Sequence, residues 1–170
     1  MKALLEVVRS ASDEDSTAEN QWRRWQSPKY MAIVLLGELR AEEAVGLLAR
    51  NITWRVQPRY GGTKTRSIPG QFPAADSLAR IGGPAVEEVL RILHTSGNPL
   101  ERHICVWTLI QIEGGARAEG REVARFRVQK AIETCRLSDM KANLEEALKY
   151  FEKEDLGLAP PEESDKTEGK

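Results

Sequence analysis

Residues 30–52 read YMAIVLLGELRAEEAVGLLARNI, and this stretch decides the fold. Large apolar residues occupy nearly every side of its first half: Met31, Ile33, Val34, Leu35, Leu36 and Leu39. That half predicts a helix that is covered on several sides. The second half carries a single apolar stripe: Val45, Leu47, Leu48 and Ile52. Two such helices with almost no connector cannot bury their apolar surface by themselves, so we expect a similar hairpin beside them.

A second stretch, FPAADSLARIGGPAVEEVLRIL at residues 72–93, has the same organisation. The pair Gly82-Gly83 is expected to end its first helix through a left-handed cap. Ile81 follows its counterpart Leu39 by 42 residues, a spacing that is typical of repeated helical hairpins. The two stretches together predict a short right-handed α-solenoid of about three hairpins with flanking helices.

The flanking helices are predicted from apolar periodicity and from capping residues. Residues 2–10 form a short amphipathic pattern. Ser16 and Glu19 match a capping box, which opens a helix that carries Trp22 and Trp25 and ends at Ser27-Pro28. The same serine is expected to cap the helix that begins at residue 28.

Three more helices are predicted after residue 98. Residues 100–112 are apolar on nearly every side and should form an inner helix. Residues 117–135 are expected to turn one apolar set inward: Val123, Phe126, Val128, Ala131 and Ile132. Ser138 is expected to cap a last helix, whose stripe is Met140, Leu144, Ala147, Leu148 and Phe151. These boundaries predict one domain over residues 1–156 and a disordered acidic tail over 157–170.

Residues 53–72 form an irregular loop of unusual length, and such loops are usually functional or disordered. The β character of residues 52–56 and the pair Gly61-Gly62 predict an extended arm or a hairpin that turns at the glycines. No acidic residue lies between Ala44 and Ala75. Arginines interleaved with aromatic residues suit a phosphate-bearing or acidic partner. The candidate partner-binding residues are Trp54, Arg55, Arg59, Tyr60, Lys64 and Arg66.

Two other interpretations of these basic and aromatic residues stay open. Tryptophans such as Trp22, Trp25 and Trp54 can fill gaps between helices while arginines extend over them into water. The acidic tail can also fold back onto the basic segment.

The two hairpins resemble HEAT repeats, and in particular the bacterial HEAT-like repeats associated with phycobilin lyases. The matching residues are Leu36-Gly37-Glu38-Leu39 with Ala44-Val45, and Ala79-Arg80-Ile81-Gly82 with Ala85-Val86. A weaker third copy runs from Arg102 through Ile112-Glu113-Gly114 into the helix after Arg117. The resemblance covers about half of the chain and implies a scaffold that holds another molecule, because such repeats seldom carry chemistry of their own.

Composition places the chain among ordinary globular proteins. It has 170 residues, 41% of them hydrophobic and 30% charged, with a net charge of −1. This balance argues against a surface built wholly for phosphate backbones. The N-terminal apolar run is too short for a signal peptide, and no stretch is long enough to cross a membrane. A cytoplasmic location is therefore expected, with Cys105 and Cys135 as reduced thiols.

The sequence offers no set of residues with the spacing that a catalytic or metal-binding site requires. His103 and Cys105 lie two residues apart on a predicted helix, so they point in different directions, and zinc needs three or four converging ligands. Residues 61–65, GGTKT, lack the glycine that a phosphate-binding loop places directly before its lysine. Carboxylates occur as adjacent pairs on predicted outer faces. We therefore expect neither enzymatic activity nor a cofactor.

Three functions are consistent with these observations. The leading hypothesis is a non-catalytic scaffold that binds another protein through its concave face and the 53–72 loop. The alternative is a protein that binds nucleic acid or phosphate through the basic aromatic segment 22–66. An accessory subunit of an enzyme or lyase is the third, and it rests on the family resemblance only. The oligomeric state is left open by the sequence.

Overall fold

The computed structural model describes residues 1–10, 27–56, 66–115 and 117–158, together with the backbone of 59–60 and 63–64. Within these ranges the chain forms nine α-helices and two strands of two residues each. The predicted all-α class is confirmed. The predicted helix with Trp22 and Trp25, its capping box and the tail beyond residue 158 lie outside the described residues.

The helices and strands follow one another in a simple order. Their bounds are α1 Lys2–Ser10, α2 Pro28–Glu38, α3 Val45–Arg50, β1 Arg59–Tyr60, β2 Thr63–Lys64, α4 Ile68–Gln71, α5 Pro73–Ile81, α6 Val86–Thr95, α7 Pro99–Ile112, α8 Ala118–Thr134 and α9 Ser138–Tyr150. Single 3-10 turns, Glu42–Ala44 and Gly83–Ala85, precede α3 and α6. Both hairpins therefore have the short connectors that the sequence predicts.

The helices of the predicted hairpins contact one another in chain order. Helix α2 packs against α5, and α5 packs against α7, while α3 contacts α5 and α6. Helix α1 covers part of α2 at one end. At the other end α9 lies against α6, α7 and α8, and α8 packs on α7. One hydrophobic core runs through all of these contacts.

Local sequence signals set the helix ends. The Ser27 hydroxyl accepts a hydrogen bond from the Tyr30 amide at 3.1 Å, and Pro28 occupies the first turn, as predicted. Helix α5 ends at Gly82, whose φ of +83° suits a residue without a side chain. Ser138 does not cap α9, because Leu137 holds the N-cap position and Ser138 is already helical. The capping prediction was wrong by one residue.

Two predictions of inward-facing residues were wrong. On α2, Met31 and Leu35 are 50% and 42% exposed, and Leu39, at the C-cap of this helix, is 59% exposed. The main neighbours of α2 in the described chain are α1 and α5, and these cover the sides that carry Ile33 and Leu36. Within the described residues, α1 and α5 leave the side of α2 that carries Met31 and Leu35 uncovered.

On α8, Val123 and Phe126 are exposed, whereas Ala124 and Val128 are fully buried. Helix α8 turns the Ala124 and Val128 side to the core, where α7 and α9 cover it. The face with Val123 and Phe126 therefore points away from the core. By contrast, α7 is the inner helix that the sequence predicts, since residues 102–110 are all buried.

Candidate interaction surfaces

The base of the 53–72 loop belongs to the core. The Val56 amide donates to the Gln71 carbonyl oxygen at 2.7 Å, which closes the loop between α3 and α5. Val56, Ile68 and Phe72 are completely buried, and so is the Gln71 side chain. The loop is therefore anchored at both ends by burial of large apolar groups.

Trp54 and Arg55 take part in this anchor. The Lys29 amino group lies 4.9 Å from the centroid of the half-buried Trp54 ring, a distance at which cation and ring attract each other. The Arg55 guanidinium donates to the Gln71 side-chain oxygen at 2.8 Å and lies 5.8 Å from the Phe72 ring centroid. For these two candidate residues the geometry supports the packing interpretation.

The remaining candidates lie towards the tip of the loop. Strands β1 and β2 pair antiparallel, with Arg59 opposite Lys64 and Tyr60 opposite Thr63. The pairing is that of the hairpin alternative, with residues 61–62 between the two strands in the sequence. Residues 52–56, whose β character the sequence predicts, form no strand. Arg66 is exposed at the base of the hairpin. The side chains of Arg59, Tyr60 and Lys64 lie outside the described residues.

The end of the described chain docks beside this loop. The Ile68 amide donates to the Gly157 carbonyl oxygen at 2.9 Å, and Ser67 forms an antiparallel bridge with Leu158. The preceding Leu156 is buried. Gly157 and Leu158, which the sequence assigns to the tail, therefore pair with the loop.

His103 of α7 also contacts this C-terminal segment. Its Nε2 lies 2.9 Å from the Leu156 carbonyl oxygen, and because a carbonyl only accepts, Nε2 carries the proton. The ring is 3% exposed and meets the Tyr150 ring edge-on at 5.4 Å. Burial lowers the pKa of His103, and this effect outweighs the hydrogen bond to Leu156, which raises it.

Neither cysteine forms a reactive site with a histidine. Cys105 is completely buried, and burial raises the pKa of its thiol, so the reactive thiolate is suppressed. Cys135 is partly exposed at the end of α8, where its sulfur lies 3.4 Å from the Leu137 carbonyl oxygen. No group of three potential metal ligands converges within the described residues.

A groove that the sequence analysis missed runs along α8. Its volume is about 570 Å³. Leu90 of α6 forms one wall, and one face of α8 forms the rest: Val123, Phe126, Arg127, Lys130, Ala131 and Thr134. The signal was present in Val123, Phe126 and Ala131, which stand at the helical spacing i, i+3 and i+8 along α8. It was misread, because the same spacing equally suits a face turned to the core.

The comparisons with known proteins add no relative. No protein-family model matches the chain, no curated protein matches it, and no solved structure matches it. Among the helices that the structure describes, none is long and apolar enough to cross a membrane. What the described residues define is an all-helical protein with a core-anchored basic hairpin and an apolar groove.

Proposed function

We propose that this protein is a non-catalytic scaffold of HEAT-like helical hairpins that binds another protein. The observation that carries the proposal is the chain-order packing of α2 on α5 and of α5 on α7, with α3 beside α6. Hairpins that stack in this way bury each other's apolar faces, and their second helices form an extended surface. That surface is what a scaffold of this class uses for binding.

The close approach of α2 to α5 supports the hairpin stack. A Cβ atom on Gly37 would lie 2.7 Å from the Cα of Ser77, so the two backbones meet where any larger residue would hold them apart. Gly37 is also the glycine of the Leu36–Leu39 segment that resembles HEAT repeats. Gly37 therefore belongs both to the segment that resembles HEAT repeats and to the close contact between α2 and α5.

The hairpin of the 53–72 loop is the arm that contacts the partner in this proposal. Trp54 and Arg55 fix its base, as their contacts with Lys29, Gln71 and Phe72 indicate. Arg59, Tyr60 and Lys64 lie on the hairpin itself, and Arg66 is exposed beside it. With no acidic residue between Ala44 and Ala75, the arm suits an acidic partner surface.

The test compares two triple variants in affinity capture from the source cell. One carries Arg59→Glu, Lys64→Glu and Arg66→Glu on the arm. The control carries Lys2→Glu, Arg9→Glu and Lys141→Glu, which change the net charge equally at exposed positions. We expect the arm variant to lose partners that the control retains. If both variants keep the same partners, the arm is not the binding site.

Binding to nucleic acid is the second candidate, and the uninterrupted basic character of the arm favours it. Phosphate contacts release counterions, so such binding would strengthen steeply as salt is lowered. Fluorescence anisotropy with labelled duplex DNA and single-stranded RNA at several salt concentrations distinguishes nucleic-acid binding from the protein-scaffold function. A lack of binding even at low salt removes this candidate, whereas steep salt dependence that the arm variant abolishes would favour it over the protein scaffold.

A further inference from the structure

The groove on α8 combines an apolar floor with a basic rim. Val123 and Phe126 are 43% and 56% exposed beside it, and Leu90 faces them from α6. Large exposed apolar residues that cluster around a concavity are typical of binding sites. An isolated exposed leucine or valine would carry no such meaning.

The two charged residues of the lining are both cations. Arg127 donates to Glu113 at 2.5 Å, and Lys130 lies 2.9 Å from Glu133. The Lys130 amino group also lies 5.5 Å from the Phe126 ring centroid. Because Lys130 and Glu133 are both largely exposed, their ion pair is weak and a partner carboxylate can replace it. Residues 117–136 hold six basic and three acidic side chains, so the surroundings are also basic.

This charge distribution selects among possible occupants. Two copies of the chain that met through this face would bring Arg127 and Lys130 towards the same residues of the partner copy, and like charges at an interface oppose binding. An acidic segment with an apolar side gains from both the floor and the rim. The groove extends from Val123 to Thr134, which is about 16 Å along a helix, or about three turns.

We propose that this groove binds a short amphipathic helix of a partner protein, with apolar residues spaced at i, i+4 and i+7 and with acidic residues beside them. The apolar residues pack on Leu90, Val123 and Phe126, and the acidic residues meet Arg127 and Lys130. This inference rests on the proposed scaffold function, and it names the chemistry of the partner. The recognition mode is a helix laid in a groove.

A displayed library of helical peptides of about 12 residues, the length of the groove, tests the proposal on the intact protein. We expect selection to enrich apolar residues at i, i+4 and i+7 with glutamate or aspartate beside them. No enrichment, or enrichment of another pattern, overturns the proposal.

Charge reversal then tests the site itself. Lys130→Glu should weaken the selected peptides by about tenfold or more, because it replaces an attraction to their carboxylates with repulsion between like charges. The same peptides with lysine in place of glutamate should recover binding to that variant. Phe126→Ser should also weaken them. Lys141→Glu, at an exposed position of α9, is the control and should leave binding unchanged. Equal binding by all three variants overturns the groove as the site.

The two proposals can fail separately. If cellular partners are lost from the arm variant but not from Lys130→Glu or Phe126→Ser, the groove inference fails and the scaffold function stands. If neither the arm variant nor the groove variants lose any partner, the scaffold proposal fails as well. Circular dichroism and thermal unfolding of each variant establish that it is folded before binding is compared.

Discussion

Gly37 of α2 and Ser77 of α5 meet at a close approach between the first two hairpins. The Ser77 hydroxyl donates to the Ile33 carbonyl oxygen at 2.9 Å, and a Cβ on Gly37 would lie 2.7 Å from the Cα, Cβ and Oγ of Ser77. Ser77 is 1% exposed and Gly37 is buried. A buried hydrogen bond and a backbone contact thus hold α2 against α5.

Replacing Gly37 with alanine should therefore destabilise the protein. The added methyl group overpacks a contact that includes backbone, which typically costs about 1–3 kcal/mol. Gly46→Ala is the matched control, because Gly46 also lies in a helix but has nothing within 4 Å of an added Cβ. The control should stabilise by about 0.5–1 kcal/mol. Urea unfolding of both variants measures the difference, and changes of the same sign would contradict the close approach.

Substitutions in the two hairpin connectors are expected to change the stability of the protein in opposite directions. Arg40 has a φ of +48°, a left-handed conformation that costs a residue with a side chain about 1–2 kcal/mol. Arg40→Gly should stabilise by about 0.5–1 kcal/mol after the extra entropy of glycine in the unfolded chain is counted. Gly82→Ala, at φ +83° and ψ −137°, should destabilise by about 1–3 kcal/mol, because this backbone region is essentially restricted to glycine. Thermal unfolding tests both, and stabilisation by the alanine would refute the assigned backbone conformation.

The burial of His103 predicts that the protein loses stability in mild acid. Its pKa is lowered by burial and by nearby Lys153, against the opposing effect of Asp155. The unfolded chain therefore binds a proton more readily than the folded protein does. Stability is fully present above about pH 6.5 and falls as pH decreases through that value towards the lower folded pKa. Protonation would also place a second N–H, on Nδ1, where no acceptor lies within the described structure.

The measurement is the free energy of unfolding of wild type and His103→Asn between pH 5 and 8. We expect the wild type to lose more stability than the variant on acidification, because the two proteins differ only in the titratable group at residue 103. Parallel curves would mean that His103 titrates freely. Hydrogen exchange at Ile68, which bonds to Gly157, should report whether the C-terminal segment loosens first.

The two cysteines should label at very different rates. Cys135 is partly exposed, whereas Cys105 is fully buried, so Cys105 reacts only when the surrounding structure opens. A maleimide should modify native Cys135→Ala far more slowly than Cys105→Ala, and urea should remove the difference. Rapid labelling of Cys105 in the native protein would contradict its burial.

The elements that the sequence predicted correctly are those that depend on local chemistry. Ser27-Pro28 begins α2, Gly82 ends α5, and the glycines at 61–62 fall between two paired strands. Each of these depends on a backbone preference or a hydrogen bond within a few residues. The inner position of α7 was equally evident, because a helix that is apolar on every side has no face suited to water.

The sequence by itself determined where helices lie and how much apolar surface they must bury. Only the tertiary structure decided which part of that apolar surface is buried, because burial depends on how many other helices pack against each helix. Met31 and Leu35 stay exposed on α2, whose main neighbours in the described chain are α1 and α5, and Leu39 is exposed directly after it. Phe126 faces a groove although its spacing suits a core. Periodicity identifies a face, and packing alone decides what that face meets.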